Sequence, residues 1–198
     1  MLNLTMSSFL EQLASDAPAP GGGSASALAG ALAAALVNMV ANLTQGKEKF
    51  VAVEAEMVKL SQDATALRQQ LATLIEEDVL AFQQVMAAFK LPKETTADKE
   101  HRRARIQESM IYAAKVPLKT AETALKVLEI VHLAAEKGNP AAASDAGVAA
   151  LLAQAAVEGA AMNVRINLES IKDERTRHDL ATRIEEIVRL AQSTTSNK

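Results

Sequence analysis

One carboxylate stands where an apolar side chain is expected. Leu71, Leu74, Ile75, Phe82 and Met86 recur at the spacing of a helix face, and Asp78 falls on that face. A carboxylate turned inward must be paired, hydrogen-bonded or set in a pocket, and burial tends to raise its pKa. That is how a general acid/base is tuned; a buried cap or ion pair explains the position equally well. Glu76 and Glu77 lie off the stripe and are expected in solvent.

A second cluster is Gly21-Gly22-Gly23-Ser24, preceded by Pro18 and Pro20. Glycines feeding a helix N-terminus expose N–H groups beside the positive end of the helix dipole, a setting suited to a carboxylate or a developing negative charge. A sharp turn with Ser24 or Ser26 as helix cap is the plainer alternative. A nucleotide P-loop is excluded, because the Gly-x-x-x-x-Gly-Lys-Ser/Thr frame is absent, and no strand precedes the glycines as a dinucleotide fold requires.

Other polar residues carry weaker signals. Ser144-Asp145 reads as an N-cap followed by a first-turn acid. Asn163 and Asn167, four apart, share one helix face and suit polar recognition or a buried network. Lys93 and Arg102 flank a chain break and either meet an anion or stay solvated. His101, His132 and His178 are isolated, and cysteine is absent, so no metal site is expected.

The elements that must hold these residues are helical. Hydrophobic residues make up 49% and charged residues 23% of 198, which suits a single globular domain over 1–198. Only 3% are aromatic while alanine recurs, favouring helix over strand. Breaks at 16–24, Gly46, Leu91-Pro92 and Gly138-Asn139-Pro140 divide the chain. Helices are expected over 7–15, from 24–26 to 43, 48–89, 98–137 with Pro117 kinking or dividing it, 144–171 and 173–191, with a frayed tail over 192–198. The fold class is all-α: a bundle of about six helices with a long central helix and no β-sheet. The Ala-rich stretch Ala25–Leu43 is read as a buried helix rather than a membrane span. A net charge of −3 without basic tracts argues against nucleic acid. With no signal peptide evident, the cytoplasm is the expected location.

Several segments together, in order along nearly the whole chain, resemble the cyclodeaminase/cyclohydrolase family. They are 18–27 (PAPGGGSASA), Asp78-x-x-Ala-Phe82, 85–93 (VMAAFKLPK), Val116-Pro-Leu118, Gly138-Asn139, Ser144-Asp-Ala-Gly-Val148 and Asn163-Val-Arg-Ile-Asn167. Ala19 stands where relatives often carry Thr. The resemblance implies an all-helical homodimer acting on a tetrahydrofolate one-carbon derivative, with no further cofactor and no metal. A length near 200 residues resembles the stand-alone methenyltetrahydrofolate cyclohydrolases, which hydrolyse the 5,10-methenyl bridge to 10-formyltetrahydrofolate. Formiminotetrahydrofolate cyclodeaminase is the alternative, and a non-catalytic helical scaffold a third. On this resemblance Asp78 is the acid/base, Asp145 a companion, and Gly21, Gly22, Gly23 and Ser24 a binding loop. Asn163 reads the pterin and Lys93 meets the glutamate carboxylate.

Overall fold

The computed structural model describes residues 1 and 3–196. Six α-helices are found among them: α1 (Met6–Leu13), α2 (Gly22–Thr44), α3 (Glu54–Phe89), α4 (Thr96–Lys137), α5 (Ala143–Leu168) and α6 (Glu174–Ser196). Short 3-10 turns, Glu48–Val53 and Pro140–Ala142, precede α3 and α5. The described residues contain no strand, in keeping with the all-α expectation. The longest helix, at 42 residues, is α4, not the 48–89 segment, which is split at its start by the first 3-10 turn. Helix α2 packs on α3 and α5, α4 packs on the same two, and α6 covers α4 and α5.

Small side chains let the helices approach one another closely. Along α5, Ala149, Ala153, Ala156 and Ala160 are fully buried, and Ala27, Ala34 and Ala41 are fully buried on α2. A β-carbon added to Gly30 of α2 would sit 3.0 Å from Leu71 of α3 and 3.4 Å from Ala156 of α5. One added to Gly159 would come within 2.5 Å of the Ser26 hydroxyl. The pairs 22/163, 26/159 and 30/156 run in opposite senses, so α2 and α5 are antiparallel along a seam of small residues. Leu60, Leu71 and Leu74 of α3 fill the remaining space, each contributing about 1.5–3 kcal/mol by burial. The polar groups of α2 are used between helices: Asn38 Nδ2 donates to Ser61 O and Thr65 Oγ1, both at 2.7 Å.

Four boundaries differ from expectation. Helix α2 begins at Gly22 with Gly21 at the N-cap, so Ser24 and Ser26 lie inside the helix and do not cap it. Ser144 also lies inside its helix; Asn139 caps the preceding turn by accepting from the Ala141 N–H. Pro117 neither divides α4 nor ends it, because the carbonyl it leaves without a helical donor finds another. The expected frayed tail is helical to Ser196, and its last two residues lie outside the described ones. Arg102 donates to the Phe89 carbonyl at 3.1 Å and so closes the end of α3. By length and composition alone, 22–44 and 140–168 are apolar enough to span a membrane; 56% and 44% of those windows are packed inside the bundle.

Candidate functional site

The N-terminus of α2 meets the middle of α3 and the last turns of α5. At that corner the glycines are needed for a steric reason. A β-carbon on Gly23 would lie 2.1 Å from Asp78 Oδ1, and one on Gly22 would lie 3.2 Å from Asn163 Nδ2. Glycine at both positions lets the carboxylate of α3 and the amide of α5 rest against the backbone of α2. Asp78 shares the buried face of α3 with Leu71, Leu74, Ala81 and Val85, while Met86 and Phe89 are exposed. The true stripe therefore runs through Ala81, Val85 and Ala88, not through Met86.

Asp78 Oδ2 accepts the hydroxyl of fully buried Ser24 at 2.7 Å. The backbone of Ser24 also favours the charged form of this carboxylate, so α3 brings an acceptor to the first turn of α2, which has no side-chain cap of its own. Burial pushes the Asp78 pKa above the ordinary carboxylate range, and the two Ser24 hydrogen bonds oppose that rise without cancelling it.

A cavity of about 400 Å³ opens beside this pair. Pro18, Gly21–Gly23, Asp78, Phe82, Asn163 and Asn167 line it, with Ala19, Ala81, Val85, Met110, Ala113, Ile166 and Ser170 completing the wall. Asp78 is the ionisable side chain of that lining. Asn163 and Asn167 donate their Nδ2 groups to Gly159 O at 2.8 Å and Ala113 O at 2.9 Å. A larger cavity, about 470 Å³, uses a different face of α3 around Gln84 and Leu91 and holds none of the candidate catalytic or binding residues named from the sequence.

The corner thus unites Gly21, Gly22, Gly23, Asp78 and Asn163 around one cavity, with Ser24 buried behind Asp78 rather than exposed to a ligand. It does not include the other two candidates. Asp145 sits in the first turn of α5, 18 residues before Asn163, or roughly 27 Å along the axis at the α-helical rise. Lys93 is exposed on the α3–α4 connection, outside both cavities. The binding loop is also reinterpreted: Gly22 and Gly23 seat the side chains of Asn163 and Asp78, while Gly21 meets only the backbone of Pro18. Phe82, Met110 and Ser170 were not identified as site residues from sequence, because apolar and small polar side chains acquire that role only through the packing of α3, α4 and α5. Among the described residues no group of three or more His, Cys, Asp or Glu is placed to hold a metal ion.

The sequence profile of the formiminotransferase-cyclodeaminase family matches residues 5–186. The chain belongs to this family. Individual relatives agree with that placement. The chain is 46% identical over 171 residues to a methenyltetrahydrofolate cyclohydrolase of Methylorubrum extorquens, covering 86% of this chain and 82% of that one. It is 35% identical to the formimidoyltransferase-cyclodeaminase of Rattus norvegicus, matching 94% of this chain but 35% of that longer protein. The solved formiminotetrahydrofolate cyclodeaminase of Thermotoga maritima superposes with a TM-score of 0.87 at 31% identity, over 97% of this chain and 92% of that one. That protein is about as long as this chain, so length does not separate the two activities of the formiminotransferase-cyclodeaminase family. Membership makes the chain an enzyme of folate one-carbon metabolism and sets aside the scaffold reading.

Proposed function

We propose that Asp78 moves a single proton while the carbon bridging N5 and N10 of a tetrahydrofolate is joined or released. The observation that carries this is the seating of one carboxyl, with a raised pKa, against the N-terminus of α2 in a cavity whose lining offers no second ionisable side chain. In the cyclodeaminase direction, N10 attacks the carbon of a formimino group held as its amidinium on N5. The Asp78 carboxylate takes the proton from N10 and returns it to the departing amine. The C–N bond breaks, ammonia leaves, and the methenyl cation remains beside a carboxylate that stabilises it.

This direction has the broader support: the family profile, the rat relative and the Thermotoga structure carry cyclodeaminase names. The cyclohydrolase direction expected from sequence is the second reading, favoured by the 46% identity to the Methylorubrum enzyme. There the same carboxylate takes a proton from water as its oxygen bonds to the methenyl carbon. It returns that proton to N5 as the C–N5 bond breaks, and the hydroxyl proton goes to solvent. Offering the purified chain 5-formiminotetrahydrofolate and 5,10-methenyltetrahydrofolate separates the two. Ammonia release assigns the first, and loss of methenyl absorbance faster than spontaneous hydrolysis assigns the second. Turnover of neither overturns the proposal.

A cytoplasmic homodimer that engages neither membrane nor nucleic acid completes the reading. Leu32, Met39 and Leu43 of α2 and Val148, Leu151, Met162 and Ile166 of α5 are all exposed on two helices packed side by side. Leu151 is 71% and Ile166 59% exposed, large apolar side chains that a partner surface would cover. A second copy is the occupant proposed, since one twofold contact would bury both helices' outer faces. Light scattering should give twice the 21.0 kDa chain mass, and a 21.0 kDa particle at micromolar concentration would rule this out.

A further inference from the structure

Pro117 lies inside α4, where it has no N–H to give to the carbonyl four residues earlier. That carbonyl belongs to Ala113, and it accepts instead the side-chain Nδ2 of Asn167, 2.9 Å away on α5. The replacement fixes which way the Asn167 amide faces. Its NH2 is held on α4, so its Oδ1 is the atom left for the cavity it lines. Asn163, one turn earlier, is fixed alike by donation to Gly159 O. Neither Oδ1 has a hydrogen-bond partner among the described residues. The cavity wall therefore presents two oriented acceptors, carried four residues apart on one face of α5. Asn167 is the one farther from the Gly22–Gly23 corner where Asp78 sits.

We propose that Pro117 is a positioning residue that locks Asn167 as an acceptor, and that Asn167 reads the amino-bearing end of the substrate's pteridine ring. This rests on the folate reading above. With the one-carbon bridge at Asp78, the 2-amino group lies at the far end of the ring, and an N–H donor there meets the far acceptor. An unlocked amide could turn its own NH2 toward that group and lose the discrimination.

The test compares binding of 5-formyltetrahydrofolate with that of its 2-desamino-2-methyl counterpart by calorimetry. Wild-type protein should favour the amino ligand by about 10–100-fold, the usual penalty for an acceptor left unmatched. Asn167→Ala should reduce that preference to within about threefold. Pro117→Ala restores an N–H to the Ala113 carbonyl, competes with Asn167, and should lower the preference at least several-fold with the melting temperature held or raised. Full preference retained in a folded Pro117→Ala protein overturns the positioning role. Full preference retained in Asn167→Ala, or none in wild type, overturns the recognition. Failure of wild type to bind either ligand overturns the folate reading itself, and this inference with it.

Discussion

The two ends of α5 differ in what reaches them. Near its start, Asp145 lies in the first turn beside Gly147, Val148 and Leu151, and an added β-carbon on Gly147 would meet nothing within 4 Å. Near its end, Asn163 and Asn167 face a glycine of α2, a carboxylate of α3 and a carbonyl of α4. Both ends carry polar residues that could do chemistry, and both are packed on one side, yet only the later end has a carboxylate and a cavity brought to it by other helices. Close approach, not residue type, sets the Asp78 carboxylate against another helix in a cavity and leaves Asp145 in the first turn of its own.

The comparison breaks most visibly at Gly23. Gly23→Val places a β-carbon where Asp78 Oδ1 now lies, so the carboxyl must leave its seat. Turnover should fall about 10²–10⁴-fold, as if the acid/base were deleted. Stability should drop by ~1–3 kcal/mol in urea melts, the usual cost of overpacking. Survival of near-normal rates would mean the contact is incidental. At Gly22 the neighbouring Asn163 need yield only a few tenths of an ångström. Gly22→Ala should therefore raise KM several-fold with kcat within about twofold, a cost of roughly 1 kcal/mol felt in ligand binding.

The raised Asp78 pKa also has a thermodynamic signature. In the folded chain the carboxyl holds a proton that the unfolded chain releases, so stability falls as pH rises from the ordinary carboxylate range through the raised native value. Asp78→Asn lacks that loss. Its melting temperature relative to wild type should increase across this window and level off above it. A difference independent of pH would argue against a strained carboxylate. The smallest effect is reserved for the other end of α5. Asp145→Asn should leave turnover within about twofold and cost only ~0.3–1 kcal/mol through the helix dipole, whereas a large kinetic loss would return Asp145 to the site.

What the sequence showed follows the same division. Helix number and Asp78 were legible because periodicity of 3.6 residues survives any tertiary arrangement. The start of α2 was not, because the carboxyl that meets its first turn comes from Asp78, 54 residues away. Pro117 suggested a kink or a division for the same reason: the donor that meets Ala113 O is on another helix, 54 residues later in the chain. Asp145 and Lys93 matched by residue type and by family likeness, yet distance along α5 and exposure on a connection keep them from the cavity. Within α3 the stripe was misread past Asp78, where Phe82 faces the cavity and small Ala81 and Ala88 occupy the core.

The most direct test of the account is the turnover of Asp78→Asn on 5-formiminotetrahydrofolate and 5,10-methenyltetrahydrofolate, measured beside its melting curve and corrected for spontaneous reaction. Asparagine keeps the shape and accepts from Ser24, but cannot take and return a proton. The account predicts a fall of about 10²–10⁴-fold on whichever substrate wild type turns over, in a protein that melts at or above the wild-type temperature at neutral pH. Near-normal turnover in that folded variant would contradict it.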